Sequence, residues 1–449
     1  MMQRTVLMLL VLFGLLSGRC KHVPVIGEIK LEPVVEARNL TKSGKPQEAF
    51  DRFEEILESE PENLTAHRGL VEAAYYAGRL EEMAKRYESM AQSKGKQGLG
   101  AYGLGLIEVS RGAGRMQAAL TQFEKAAALM SGEADVPYRI GLIYLMNGEH
   151  QKAISSIERA IALDQNRPAF FVALGGALAK IGKNKQALEV MSRILTLSPT
   201  AAEAIKARSI AARVYDPLRG TDPELALDLK KIVDYLEQEV VQQALIGIDK
   251  ILRNNPEISF AHTLKGMAHS RLENDGEAVV AFEHALSLTP ENPLALIGLG
   301  DVYARLENWS KARGYYEKAL TLDPFDLEAY RRMADLARAR GDHERIASSF
   351  ATLVLLDPAN VEFRRQYALS LFAVGQYEAS ASAYEAVLGI KPDDLETLVR
   401  LGSLYIALSE RIANRREEFL DKARACLSAA HELSPENEAV LEMMSKIDG

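Results

Sequence analysis

The chain has 449 residues, 47% hydrophobic and 26% charged, with 54 Lys and Arg against 62 Asp and Glu for a formal net charge of −8. That length accommodates several domains or one extended array. Scattered, net-negative charge excludes a general nucleic-acid binder, which needs a basic face to neutralise phosphates.

The first twenty residues read as a targeting segment. Arg4 supplies a positive start, and an apolar run extends from Val6 to Leu16. A helix needs about 20 residues to span hydrocarbon. This run is too short for that and suits the core of a signal peptide instead. The stretch LLSGRC then ends at Cys20 and resembles a bacterial lipoprotein signal, which implies acylation of Cys20. Arg19 departs from that pattern, where a small residue precedes the cysteine. An ordinary secretory signal cut near Gly18 to Cys20 is the other reading. On either one the protein is exported, to the periplasm or to an outer-membrane anchor. Residues 21–29 read as a linker. With Cys20 removed or acylated no intramolecular disulfide framework is available, and Cys426 lies in an apolar helical pattern that makes it a small core residue.

From residue 30 the sequence repeats. Pro256, Pro290, Pro324, Pro358 and Pro392 follow one another at one constant interval, and Pro435 closes the series after a longer gap. Within 293–326, Leu296, Leu299, Gly300 and Tyr303 share one helical face at i, i+3, i+4, i+7 spacing. Ala312, Tyr316 and Ala319 line a second helix, which Pro324 stops because proline cannot donate a backbone hydrogen bond in a helix interior. The same pattern recurs at Ile140-Gly141 with Tyr144, Ala153 and Ala160, at Leu174-Gly175 with Ala187 and Pro199, and at Leu401-Gly402 with Tyr405, Ala423 and Ala430. Gly44 and Gly78, Gly148 and Gly182, Gly341 and Gly375 are turn glycines, each pair separated by that same interval.

This arrangement resembles the tetratricopeptide repeat, a helix–turn–helix of about 34 residues. The resemblance covers about residues 30–437 and implies an all-α, right-handed solenoid of about eleven units. Five fall at 30–63, 64–97, 98–133, 134–167 and 168–201, an N-terminal block over 30–201. An unpaired helix and a loop occupy 202–224. Six more units fall at 225–258, 259–292, 293–326, 327–360, 361–394 and 395–437, a C-terminal block over 225–437. Residues 438–449 read as a capping helix, which a solenoid requires over its last open face.

Several stretches imitate catalytic motifs. Gly98, Gly100 and Gly103 fit G-x-G-x-x-G, but no strand precedes them, and Leu104-Gly105 is the Leu-Gly pair of its unit, so the glycines belong to helix contacts. Gly176 to Lys183 has five residues where a phosphate loop has four, and Asn184 replaces Ser/Thr. His343 begins HERIA, with Ala347 in the place of the second histidine of H-E-x-x-H. His262 and His269 share one helix face, with His284 on the next helix, and since a metal site needs a third ligand and tight geometry they read as ordinary packing or surface histidines. The chain therefore reads as no enzyme, with no cofactor and no metal.

In the resembled family, partner peptides lie on the concave face lined by the first helices. Carried over by position, this puts Tyr102, Leu106, Tyr138, Leu142, Leu145 and Val172 in an apolar trough on the N-terminal block. It puts Asp301, Arg331, Asp335, Arg338, Arg365, Leu369 and Phe372 in a charged trough on the C-terminal block. The positions after the Leu-Gly pairs, Leu106, Leu142, Gly176, Asp301 and Ser403, include no asparagine, so the carboxylate clamp of chaperone-binding members is not expected. The partner is a protein or peptide segment, not nucleic acid, and a membrane is met only through a lipid on Cys20. The resulting expectation is an exported, non-catalytic scaffold or assembly factor of the bacterial cell envelope. The alternative is a structural subunit of an envelope export or secretion machine assembled through the convex surface.

Overall fold

The computed structural model describes residues 33–197 and 199–448. The signal segment, Cys20 and the linker lie outside them. Among the described residues there are 24 α-helices and no β-strand, an all-α array of stacked helix pairs. Contacts divide it into two compact units, up to Lys183 and from Asn184 onward.

The first unit pairs Pro33–Lys42 with Pro46–Ser59, Leu64–Tyr76 with Leu80–Gln92, Gln97–Ser110 with Met116–Leu129, and Asp135–Met146 with His150–Leu163, then adds Pro168–Lys180. Short turns fold each pair back on itself. Gly78 and Gly148 take φ of 73° and 78° there, a left-handed conformation that costs a residue without Cβ little.

One packing device recurs. On several second helices a large ring presses against a glycine of the first helix that follows. A Cβ on Gly69 would fall 2.1 Å from the Phe53 ring, and one on Gly103 would fall 2.1 Å from the Tyr87 ring. Glycines of a unit's own first helix receive the other edge, as Gly105 does for Phe123. Phe53, Tyr87 and Phe123 are consequently buried to 0% exposure. The glycine-rich stretch at 98–105 is thus a helix surface made flat for its neighbours.

The second unit begins with Asn184–Ser192, which tightens into a 3-10 turn at Arg193–Thr196. Ala201–Val214 follows, opened by a capping box in which Thr200 and Glu203 satisfy each other's backbone N–H. Asp222 caps Pro223–Glu237, accepting from the N–H groups of Glu224 and Leu225. The pairs are then Pro223–Glu237 with Val241–Asn254, Ser259–Arg271 with Asp275–Leu288, Pro293–Arg305 with Trp309–Leu322, Leu327–Ala339 with His343–Leu356, Val361–Ala373 with Tyr377–Ile390, and Leu395–Arg411 with Arg416–Leu433. The last pair has helices of 17 and 18 residues, which absorb the extra length read from the spacing of the prolines. Glu438–Asp448 buries Val440 against it. Cys426 is buried in this last pair, and burial pushes its thiol up to about 12.

The division between the units falls at Lys183, inside the stretch that the repeat pattern groups as 168–201, and not at 202–224. The second helix there has only nine residues before the 3-10 turn. The helix Ala201–Val214 is tied into the second unit. It packs on His343–Leu356, with Arg208 Nη1 3.7 Å from Asp357. Just beyond it, the Tyr215 hydroxyl donates to the Leu322 carbonyl at 3.1 Å.

Candidate functional site

First helices of successive repeats lie side by side, so residues one repeat length apart form columns along one face. Tyr102, Tyr138 and Val172 share a column, as do Leu106 and Leu142. The helices approach closely enough that much of these columns is core. Tyr102, Leu106 and Val172 are 0%, 6% and 2% exposed, so they are packing residues and not the open apolar trough expected from their positions. Tyr102 packs edge-on against Phe123, with ring centroids 5.7 Å apart. Tyr138, Leu142 and Leu145 remain half-buried, and the Tyr138 ring lies 4.5 Å from that of Phe170.

Charge replaces the expected apolar surface in this unit. Asp135, buried at the start of Asp135–Met146, is the hub. Its Oδ2 accepts from the Tyr102 hydroxyl at 2.5 Å and from Arg139 Nε at 3.0 Å. Its Oδ1 accepts from Arg68 Nη1 at 3.3 Å, and Arg167 Nη1 stands 3.8 Å away. Arg68 reaches Asp135 across 67 residues, so the first helices of non-adjacent repeats face one another across the curve. Burial works to neutralise Asp135, but Arg139 and Arg68 outweigh it and hold its carboxyl below the usual range. Arg38 lies in the same field, among Arg68, Glu72, Arg139 and Asp135.

The arginines expected in the second unit are matched by carboxylates of their own. Arg331 grips Glu328 with two bonds of 2.9 and 2.7 Å. Arg338 donates to Asp335 at 2.7 Å and reaches Gln366 at 3.4 Å. Arg365 lies between Glu362, at 2.9 Å, and Glu396, with Asp394 3.9 Å off. Asp301 accepts from the Tyr316 hydroxyl at 2.7 Å and pairs with Arg332 at 3.1 Å, while burial raises its carboxyl above the ordinary range. Asp301, Asp335, Arg332 and Trp309 line a groove of about 570 Å³. Leu369 and Phe372 are exposed, and the Phe372 ring meets Tyr377 edge-on with centroids 5.2 Å apart.

Position along the chain singles out Tyr138, Asp301 and the C-terminal arginines as candidates and passes over Arg38, Arg68, Asp135, Arg139 and Arg167. A signal for some was present. Stepping the two columns back by one repeat at a time takes Tyr102 to Arg68, and Leu106 to Glu72 and then Arg38. Those residues sit in repeats that lack the Leu-Gly pair, which is why the columns stop short of them.

Among the described residues no group of His, Cys, Asp or Glu is placed to hold a metal ion, and no helix is long and apolar enough to cross a membrane. His262 meets the Pro256 carbonyl at 2.7 Å, and its ring lies tilted against that of His284 with centroids 4.1 Å apart.

A tetratricopeptide repeat model matches residues 34–97, 138–202 and 331–394, and a model of the N-terminal TPR repeats region of Psidin matches 228–335. No curated protein matches the chain. Similar solved structures include YrrB, a TPR protein with an unusual peptide-binding site, at 20% identity over 44% of this chain and 97% of that one, with a TM-score of 0.36. The TPR domain of P58(IPK) is 18% identical over 78% and 97%, with a TM-score of 0.26. PilW, a type IV pilus biogenesis factor, is 15% identical over 50% and 100%, with a TM-score of 0.38. These likenesses are too distant to bear on what this chain binds. Helix pairs recurring at a constant interval, matched by tetratricopeptide models along both units, make the chain a tetratricopeptide-repeat protein.

Proposed function

We propose that this chain is an exported, non-catalytic scaffold that holds segments of partner proteins on the faces lined by its first helices. Tetratricopeptide repeats are protein-interaction modules, and the observation that carries the reading is how these first helices are presented. In the first unit, side chains of separate repeats converge on one patch, as Arg68, Tyr102, Arg139 and Arg167 do on Asp135. A stretched or helical partner segment would meet several repeats at once. Export rests on the Arg4, Val6–Leu16 and Cys20 pattern, and the cell envelope is the compartment that pattern serves.

The test is capture of partners from an envelope extract by the full chain. A partner retained by the wild type and lost when Tyr138, Leu142 and Arg338 are replaced together supports the reading. Undiminished recovery with that triple variant overturns the assignment to the first-helix faces. Mass spectrometry of the mature N-terminus tests export separately. A chain starting at or near Cys20 supports it, and one that still starts at Met1 refutes it.

A further inference from the structure

We propose that Arg38, Arg68, Arg139 and Arg167 form a cradle for a carboxylate on an acidic segment of a partner protein. This rests on the scaffold reading and adds the chemistry of the bound segment.

The argument begins with charge. Four guanidinium groups gather on the first-helix face of residues 33–183, and the carboxylates beside them are Asp135, Glu72 and Asp164. The patch therefore carries one positive charge in excess, although the chain as a whole is at −8. Both oxygens of Asp135 are already engaged, by Tyr102, Arg139 and Arg68. Each arginine has five N–H donors in a planar fork. Arg68 and Arg139 each direct a single hydrogen bond at Asp135. Arg167 donates its Nε to Asp164 at 2.8 Å. The donor supply exceeds the acceptors that the described residues bring to the patch.

Arg38 shows the surplus most plainly. Its Nη2 is shielded from solvent and has no hydrogen-bond partner among the described residues. A guanidinium half out of water, unpaired and beside other cations is unfavourable for folding. The arrangement becomes favourable when an anion enters. A carboxylate is planar and accepts two parallel N–H bonds from a guanidinium, so its shape and charge match the fork. The second unit provides the contrast: there Arg331, Arg338 and Arg365 are each neutralised by a neighbouring Glu or Asp and leave no comparable excess.

The test uses a fluorescein-labelled octaglutamate peptide and the full chain at about 50 mM salt, where screening is modest. Fluorescence anisotropy is expected to show binding of octaglutamate and none of octalysine. Arg38→Gln should weaken octaglutamate about tenfold, Arg38→Lys should recover part of that loss, and Arg313→Gln, on the second helix Trp309–Leu322, should leave it unchanged. Melting of Arg38→Gln, followed by circular dichroism, should be no lower than wild type, because the change removes a cation from among cations. Absence of octaglutamate binding by the wild type overturns the proposal. So does unchanged affinity in Arg38→Gln, or displacement of octaglutamate by inorganic phosphate at equal concentration, which would mark a general anion site. A partner captured by the wild type alongside a failed octaglutamate assay would refute the cradle and leave the scaffold standing.

Discussion

Replacing Gly100 by alanine adds one methyl group at a place where two helices touch backbone to backbone. A Cβ there would fall 2.2 Å from Ala91 N, 2.6 Å from Ala91 Cα and 2.8 Å from Met90 C. Carbon atoms rest at about 3.5 Å, so the helix Leu80–Gln92 must withdraw by about 1.3 Å. That movement pulls on Met83, Ala84 and the fully buried Tyr87, whose hydroxyl bonds His67 Nδ1 at 2.8 Å. Overpacking costs about 1–3 kcal/mol, and the upper end applies because backbone cannot rotate aside as a side chain can. Alanine recovers about 1 kcal/mol in helix propensity, which leaves a net loss of about 2 kcal/mol and a fall of about 4–8 °C in Tm. Gly314 is the control. It lies within Trp309–Leu322 with nothing inside 4 Å of its Cβ position, so Gly314→Ala should raise stability by about 0.5–1 kcal/mol. Urea unfolding followed by circular dichroism measures both. Amide hydrogen exchange should localise the first loss to Leu80–Gln92, since a repeat array need not unfold as one body. A Gly100→Ala chain as stable as wild type would refute the assigned helix contact.

Glu239, Glu273 and Glu307 hold φ of 60°, 58° and 54° at the turn position where later repeats place Gly341 and Gly375. Glu307→Gly should remove that strain and raise the melting temperature, with a gain of about 0.5–1 kcal/mol; an unchanged or lower value counts against it. Asp323 is buried and accepts from the Phe325 N–H at 2.9 Å. Burial, reinforced by Asp326, pushes its carboxyl up to about 6 from an ordinary 3.8. A folded value above the unfolded one means that its contribution is complete below about pH 4 and is lost as the pH rises through about 6. Asp323→Asn keeps an oxygen acceptor without the charge. It should therefore stabilise the chain at about pH 8 by on the order of 2–3 kcal/mol and have little effect near pH 4. Equal urea midpoints at both pH values would contradict this.

Helix boundaries were legible because proline, turn glycine and the Leu-Gly pair recur at a fixed interval, and each has a local physical cause. Gly300 and Gly103 could be assigned to close helix contacts from spacing alone. Exposure could not be read in this way. Tyr102 and Tyr138 occupy equivalent positions, yet one is core and the other half-buried, because exposure depends on how near the next first helix lies. The arginine patch was hidden for a second reason. Arg68 and Asp135 are 67 residues apart and meet only through the curvature of the stack, which no local pattern encodes. The whole-chain charge of −8 also masks a local excess of the opposite sign. The break at Lys183 follows from a nine-residue helix that ends in a 3-10 turn, and from contacts between Ala201–Val214 and a distant helix, neither of which leaves a periodic mark.

Phe282 is flanked by Gly266 of its own repeat and Gly298 of the next. A segment of this kind carries both a projecting ring and the hollow that accepts one. A duplicated copy inserted in frame would therefore supply its neighbours on either side and be supplied by them in turn. Such an array can lengthen without redesigning any joint, whereas a cut between repeats strands a ring on one side and a vacant hollow on the other.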